Sequence, residues 1–252
     1  MTFARRLFLS SVAAAALVGS AAAVAWTFQT GDGTVVRGDG QVKREARALT
    51  GFDAIAVSGG VELKVRQAGA SRVELEADGN LLPYVETQVV NGAKGRTLEI
   101  KVKRGYTVQS RQPLRIEVDL PELRALAVAG SGSADVQAFK TEALKISVAG
   151  SGTVKAPQLE AGSVQMNVSG TGDVHVGGRA KEAQVSVAGS GDVVADQLAA
   201  DAVKVSIAGS GDVNVQANKT LKVSIAGSGS VVYSGTAEVS QSIAGSGSVT
   251  RR

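Results

Sequence analysis

Apolar and polar residues alternate in a block that recurs along the second half of the chain. Val185–Val193, with the sequence Val-Ser-Val-Ala-Gly-Ser-Gly-Asp-Val, represents this block. The first glycine of successive copies lies at Gly130, Gly150, Gly170, Gly189, Gly209, Gly227 and Gly245. The copies are 18 to 20 residues apart. A nearly fixed period of this size predicts stacked supersecondary units rather than one globule.

Two apolar columns precede each glycine, and small, mostly polar residues lie between them. The column four residues before the glycine contains Leu126, Ile146, Met166, Val185, Val205 and Val223, and it is interrupted by Gln241 in the last copy. The column two residues before the glycine is β-branched throughout and contains Val128, Val148, Val168, Val187, Ile207, Ile225 and Ile243. Alternation with a period of two residues is typical of a strand with one buried face.

A glycine-rich segment, mostly Gly-Ser-Gly, follows each of these strands. It predicts a sharp corner, because glycine adopts positive φ without a Cβ clash. A second short apolar strand and a variable polar loop complete the period, which has no room for a crossover helix. Parallel crossovers are right-handed by default. The predicted fold class is therefore all-β, a right-handed single-stranded parallel β-helix with 18–20-residue coils.

The chain divides into three predicted parts. Residues 1–25 are an export signal, residues 26–49 a linker or irregular edge segment, and residues 50–252 the β-helix domain. Within that domain, residues 50–125 form irregular coils and residues 126–250 form the regular ones. Phe52–Val65 resembles a degenerate early coil, with Ser58-Gly59-Gly60 in place of the later corners.

The predicted export signal combines the basic pair Arg5 and Arg6 with an apolar run and alanine-rich cleavage sites ending at Ala23 or Ala25. Residues 5–9 also resemble a twin-arginine signal, so the export route stays open. An uncleaved anchor is the alternative, since the apolar run approaches the length of a membrane span. The protein is expected outside the cytoplasm, in the periplasm, secreted or at the cell surface. Membrane contact is expected only through an uncleaved leader.

Composition supports a narrow β core and excludes several classes. The chain has 31 glycines and only 4% aromatic residues, which suits a core of Val and Ile. Without Arg5 and Arg6, 25 basic residues face 23 acidic ones, a net charge of +2 that predicts no nucleic-acid partner. The corners lack the third glycine and the following helix of a dinucleotide-binding loop, so no cofactor is predicted.

Four segments carry a resemblance to a known family: Phe52–Gly59, Asn80–Thr87, Leu98–Ile100 and Leu120–Leu123. Together with the serial Gly-Ser-Gly-Asp-Val corners, they resemble the bacterial head GIN domain family, also described as a "putative auto-transporter adhesin" domain. The resemblance covers about residues 50–249. It implies an exported β-helical protein, adhesin-like, with no catalytic residues. No translocator barrel follows the repeats in this sequence, so self-translocation is not implied.

The candidate binding residues form an outward row along the coils: Asp173, Asp192, Asp212 and His175. In register, the three carboxylates would lie about 4.8 Å apart, a spacing at which a row could hold a hard cation. One acid per coil gives few ligands, which favours solvated turn residues, and no metal site is predicted. His175 alternates with Val174 and Val176 and has no nucleophile beside it, which favours a surface residue over a catalytic one.

Two function classes remain open from the sequence. The first is a non-enzymatic envelope or surface module with an adhesin-like binding or structural role, whose partner is an envelope polymer, a surface protein or a second copy of the chain. The second is a polysaccharide hydrolase or lyase, because β-helices host such enzymes and fold does not decide function. The shortage of aromatic residues for stacking on sugars favours the first class.

The location is testable by N-terminal sequencing of the protein purified from its source cells. We expect the mature chain outside the cytoplasm, beginning near Val24 or Trp26, because cleavage follows small residues at the end of the apolar run. Retention of Met1 in a membrane fraction would favour the uncleaved anchor instead.

Overall fold

The computed structural model describes residues 34–92 and 95–252. The fold is nearly all β, with 75% of residues in strands, and its stacked parallel strands form a solenoid of about six turns. The predicted export signal and cleavage sites lie outside the described residues. Within the described part, no helix is both long and apolar enough to span a bilayer.

The first half of the described chain contains shorter strands and one turn of 3₁₀ helix at Leu82–Tyr84. The strands are β1 (Thr34–Arg37), β2 (Val42–Arg47), β3 (Ala54–Ser58), β4 (Val61–Gln67), β5 (Arg72–Asp78), β6 (Val85–Gly92), β7 (Gly95–Val102), β8 (Tyr106–Gln109), β9 (Leu114–Leu120), β10 (Ala125–Gly130) and β11 (Ser133–Val136).

The second half contains long strands that run around most of a coil. They are β12 (Phe139–Gly150), β13 (Thr153–Gly170), β14 (Asp173–Gly189), β15 (Val193–Gly209) and β16 (Asp212–Gly227), followed by the shorter β17 (Ser230–Ser234), β18 (Glu238–Gly245) and β19 (Ser248–Arg251).

The regular coils stack in parallel and in the register that the repeat predicts. Gly150 pairs with Gly170, and Gly189 pairs with Gly209, so the corner glycines form one continuous column. The apolar residues before them point inward: Val205 is 1% exposed, whereas the alternating Ser206 is exposed. The stacked parallel β-solenoid and its inward columns are therefore confirmed.

The two glycines of a corner are required by backbone packing. Gly150 has φ +111°, and a Cβ there would lie 2.7 Å from the carbonyl oxygen of Gly130 on the preceding coil. A Cβ at Gly152 would lie 2.7 Å from the carbonyl oxygen of Gly132 and 2.9 Å from a methyl group of Val128. Neither position has room for a side chain, which explains why both glycines recur.

The variable coil length is absorbed on the side opposite these corners. Between β13 and β14 the register shifts between Ala156 and Leu159, and between β14 and β15 it shifts between His175 and Gly177. A coil can therefore lose or gain a residue there without disturbing the glycine column. This explains steps of 18 to 20 residues in one continuous stack.

The N-terminal end departs from a simple succession of coils. β3 lies between β7 and β10, and β4 lies between β9 and β11, all in parallel. After β1 and β2, the chain thus enters the stack at β3 and β4, adds β7 and β9 on one side of them, and continues through β10 and β11 on the other side. Antiparallel strands then cover the free edges of β7 and β9. β6 pairs with β7, β5 pairs with β9, and β2 pairs with β5. Residues 50–125 therefore form both parallel and antiparallel ladders.

The segment expected to be a linker or irregular edge contains two strands in its described part. β1 pairs with β8 in a separate two-stranded parallel sheet, whereas β2 forms an edge of the main sheet. At the opposite end of the described chain, β18 pairs only with β16 and β19 only with β17. Ile243 continues a column that is buried in the preceding coils, but at this end of the stack its side chain is 38% exposed.

The inward column is testable by a matched pair of substitutions. Val205→Asp should lower the melting temperature strongly, because it removes about 1.5–3 kcal/mol of burial and places an unpaired charge in the core. Ser206→Asp should have a mild effect, since Ser206 is exposed on the same strand. Thermal unfolding followed by circular dichroism compares them, and equal melting temperatures would contradict the assignment of the two faces.

Candidate functional site

The predicted aspartate row exists, but two of its members bond to the neighbouring coil. Oδ1 of Asp192 accepts a hydrogen bond from the backbone N–H of Asp212 at 2.9 Å. Oδ1 of Asp212 accepts one from the backbone N–H of Ser230 at 3.1 Å. These two carboxylates thus accept backbone N–H groups of the next coil directly after the glycine corners. Asp173 begins the row and makes no such side-chain bond within the described strands.

His175 lies on the outer surface, as its alternation predicts. It is exposed between the buried Val174 and Val176, and in register it pairs with Lys155 of β13 and Val194 of β15. No hydrogen bond joins it to Asp173 in the described part of the chain. No group of three or more His, Asp or Glu side chains there could hold a metal ion.

A row of exposed hydroxyl groups runs beside the aspartates along the same corner. It contains Ser131, Ser151, Thr171, Ser190, Ser210, Ser228 and Ser246. Ser151 and Thr171 lie 3.0 Å apart, Oγ to Oγ1. Their backbone N–H groups donate to the corner glycines of the preceding coil, each at 2.9 Å. The backbone is thus committed to the stack, whereas the hydroxyl groups face solvent.

Opposite charges neutralise one another on the outer face of the antiparallel end. Arg115 contacts Glu62 at 3.0 Å and Glu76 at 3.5 Å, and Arg44 contacts Glu76 at 2.5 Å. A hydrogen bond from Arg44 lowers the pKa of Glu76, and hydrogen bonds to Glu76 and Glu62 raise the pKa values of Arg44 and Arg115 respectively. This face therefore offers no uncompensated positive patch.

The structure also forms a cleft that sequence patterns did not indicate. Its volume is about 510 Å³, and it lies where the ends of β1, β5 and β8 meet. Its lining contains Arg37, Gly38, Asp39, Gly40, Asp78, Gln109, Ser110, Arg111 and Gln112. Of all polar or charged side chains in the described residues, Asp78 alone is fully buried, with 2% exposure.

Asp78 is only half satisfied in this cleft. Its Oδ2 accepts a hydrogen bond from the Ser110 hydroxyl at 2.5 Å, and the same hydroxyl accepts the backbone N–H of Gln112 at 2.9 Å. Its Oδ1 has no hydrogen-bond partner among the described residues. A buried carboxylate oxygen without a donor is costly, which makes this position unusual.

The segment opposite Asp78 is held by its own hydrogen bonds. Asn80 accepts the backbone N–H of Asp39 at 3.1 Å and donates to the carbonyl of Arg37 at 2.7 Å. Gly38 donates to the carbonyl of Gln109 at 2.8 Å. A Cβ on Gly38 would collide with the Asp78 carboxylate, so glycine is needed for this close approach. The cleft is therefore preformed.

Fold and surface together define the class of this protein: a β-solenoid module with regular outer rows and a polar cleft at its antiparallel end. The chain belongs to the head GIN domain family, described as "Putative auto-transporter adhesin, head GIN domain", which it matches over residues 51–237. This confirms the resemblance noted in the sequence. No curated protein sequence matches the chain.

The chain is similar to solved structures from Parabacteroides distasonis and Bacteroides fragilis, among others. A "putative lipid binding protein" from Parabacteroides distasonis is 27% identical, with a TM-score of 0.73, covering 87% of this chain and 100% of its own. A "putative adhesin" from the same species is 26% identical, with a TM-score of 0.68 and coverages of 86% and 100%. A "putative adhesin" from Bacteroides fragilis, 22% identical, shares the fold with a TM-score of 0.75 and coverages of 86% and 100%.

The structural role of the aspartate row is testable by single substitutions. Asp192→Ala should lower the free energy of unfolding by about 1 kcal/mol, because the N–H of Asp212 loses its acceptor. Asp173→Ala should cost less, since its carboxylate accepts no such bond. Urea unfolding with and without Ca²⁺ compares the two variants. Equal losses of unfolding free energy in the two variants would contradict a structural role for the Asp192 hydrogen bond. Stabilisation of the wild type by Ca²⁺ would instead indicate that the aspartate row binds a cation.

Proposed function

We propose that this protein is an exported, non-enzymatic module of the bacterial envelope or cell surface, with an adhesin-like binding role or a structural role. Membership of the head GIN family and the descriptions of the similar solved structures support an adhesin-like module. The predicted leader and the same family support an extracytoplasmic location. The partner is an envelope polymer or a surface protein.

One observation carries the proposal: the stack uses the corner glycines and two of the three aspartates of the row, and it leaves the recurring hydroxyl groups exposed. The corner glycines permit backbone contact, and the carboxylates of Asp192 and Asp212 accept backbone N–H groups. The hydroxyl groups of the corner row are exposed at regular spacing, which suits them to weak contacts repeated along a polymer. In the described repeats no acid, base and nucleophile lie together, so the coils give no support to a triad-type enzyme.

The enzyme alternative has no specific observation in its favour. Glycoside hydrolysis requires two carboxylates on either side of the scissile bond. The cleft contains two carboxylates, those of Asp39 and Asp78. Oδ1 of Asp39 accepts a hydrogen bond from the backbone N–H of Gln41 at 2.9 Å, and Oδ2 of Asp78 accepts one from the Ser110 hydroxyl. Each carboxylate therefore has one oxygen bonded within the cleft. The binding module therefore stands as the proposal.

Retention and turnover measured side by side test this function. Purified protein is incubated with immobilised envelope and extracellular polysaccharides, with surface protein extracts and with lipid vesicles, and released products are assayed in parallel. The vesicles are included because one similar protein is described as lipid-binding. We expect retention on a polymer or on surface protein without product release. Turnover abolished by Asp173→Ala, His175→Ala or Asp78→Asn would replace the binding module with an enzyme.

Two matched pairs of substitutions then locate the contact on the solenoid. Ser210→Arg with Ser228→Arg places bulk on the corner row, and Ser206→Arg with Ser224→Arg places the same bulk and charge on the strand face. All four residues are exposed, so stability should change little. Loss of retention in the corner pair alone is expected if the hydroxyl row binds. Retention by both pairs would contradict a binding role for these two outer faces of the coils.

A further inference from the structure

We propose that the protein forms a two-fold dimer through its last described coil, with β18 of one copy pairing antiparallel with β19 of the other. This coil has an open sheet edge, because β18 pairs only with β16 and β19 only with β17. An open edge carries backbone N–H and C=O groups with which a further strand can pair. The inference goes beyond the proposed function and does not depend on it.

The hydrogen bonds of this coil indicate which backbone groups face outward. The N–H groups of Ser246, Ser248 and Arg252 donate to carbonyls of the preceding coil at 2.9, 3.3 and 2.9 Å. Successive residues of a strand direct their backbone groups to alternate edges, so the odd-numbered residues direct theirs away from the stack. The outward groups therefore belong to Val239, Gln241, Ile243, Val249 and Arg251.

A two-fold axis at Ser246 pairs these outward groups with one another. It places Ile243 opposite Val249 of the second copy, and Gln241 opposite Arg251 of the second copy. Each outward N–H then meets an outward C=O, as in the hydrogen-bonded pairs of an antiparallel ladder. An axis through the middle of β18 would pair β18 with itself but leave β19 without a strand. The axis at the corner uses both parts of the edge.

The inward side chains of the two copies match in this register. Ile243 is 38% exposed and Val249 is half-buried, although both continue columns that are buried in the preceding coils. Pairing brings these two apolar side chains together over the end of the core. Gln241 meets Arg251, whose guanidinium group donates to the carbonyl of Gly235 at 2.8 Å and has further N–H groups for an amide oxygen. Apolar side chains thus meet apolar ones, and polar side chains meet polar ones.

The opposite end of the stack does not suit this edge. One antiparallel strand, β6, lies beyond β7, whereas two, β5 and β2, lie beyond β9, so the two edges there are at different levels. Charged residues on an edge strand oppose pairing with another chain, and β2 contains Lys43, Arg44, Glu45 and Arg47. In β18 and β19, charge occurs only at Glu238 and Arg251, the two ends of the edge. Like ends therefore meet, and such a self-complementary contact closes at two copies.

The dimer extends the corner row of hydroxyl groups. Ser246 lies at the axis, so the row of one solenoid continues into the row of the other. A polymer that follows the row would contact twice as many coils, and simultaneous contacts raise apparent affinity without a new kind of contact. This consequence rests on the proposed function, whereas the pairing of the two copies does not.

Sedimentation equilibrium of the purified protein over a range of concentrations tests the dimer. Ile243→Lys should raise the dissociation constant of the dimer about tenfold or more, because it places an ammonium group in the apolar contact with Val249. Ser242→Lys places the same group on the outer face of the same strand and should leave the constant nearly unchanged. Both residues are exposed, so both variants should stay folded, which circular dichroism checks.

A second variant decides if Ile243→Lys fails to fold. Gln241→Pro removes an outward N–H and should also weaken the dimer, because proline at an edge leaves the bonds within the stack intact. A monomer at every concentration, growth into open filaments, or a dimer that neither Ile243→Lys nor Gln241→Pro weakens would overturn the inference.

Disulfide cross-linking tests the position of the axis, since the chain contains no cysteine. In the dimer the two Ser246 Cα atoms lie about 5 Å apart, within the range of a disulfide. The two Ser228 residues lie one coil further back in each copy, about 14 Å apart. On mild oxidation Ser246→Cys should form a covalent dimer, and Ser228→Cys should not. Cross-linking of both variants to the same extent, or of neither, would overturn the inference.

The outcomes separate the dimer from the proposed function. A monomer that is retained on an envelope polymer or on surface protein would overturn the dimer and leave the binding module standing. A dimer that Ile243→Lys dissociates and Ser246→Cys cross-links would support the inference even if no polymer or surface protein retained it. That second result would count against the binding role alone.

Discussion

The contact between corner backbones determines how the coils stack. At each corner the chain lies so close to the preceding coil that a Cβ on Gly150 or Gly152 would meet a carbonyl oxygen 2.7 Å away. The N–H of Ser151 donates to the carbonyl of Gly130, and that of Thr171 donates to Gly150, both at 2.9 Å. Once these groups are paired, the register of both flanking strands is fixed. The buried columns and the outer rows both follow from this one contact.

That contact also divides the surface into a side where side chains repeat regularly and a side where they do not. Register shifts near Ala156 and His175 occur away from the glycine column, where coils differ in length. Side chains repeat coil by coil beside the corners, but not across those shifts. A partner that recognises a repeated spacing would therefore find it beside the corners, where the hydroxyl groups and carboxylates lie. This is the physical reason for locating the proposed polymer contact there.

The repeated half of the fold was predictable because its signals are local and recur. The alternation around Val205 and Ser206 specifies the buried face, and the glycines specify the corner, within a single period. The N-terminal end was not predictable in this way. β3 pairs with β7 and β10, which lie far apart in the sequence, and the charged alternation of β5 suits antiparallel and parallel pairing equally. The sequence therefore predicted strands there, but not their order.

The candidate sites differ in predictability for the same reason. The row of Asp173, Asp192 and Asp212 was visible because it repeats, yet its hydrogen bonds to the next coil could not be inferred from spacing. The cleft has no repeat at all, since β1, β5 and β8 contribute to it from separate segments. The short sequence Gly38-Asp-Gly40 was noticeable as a turn. Its contact with Asp78 depends on the pairing of β1 with β8 and of β2 with β5.

The chain treats its polar groups differently in the regular coils and at the antiparallel end. In the coils, carboxylates such as that of Asp192 accept backbone donors, and this satisfies both partners. At the antiparallel end, Asp78 is more deeply buried, yet one of its oxygens has no donor among the described residues. The regular ladder therefore provides backbone donors for carboxylates at its surface, whereas the junction of strands at the antiparallel end encloses a carboxylate oxygen that the ladder does not satisfy.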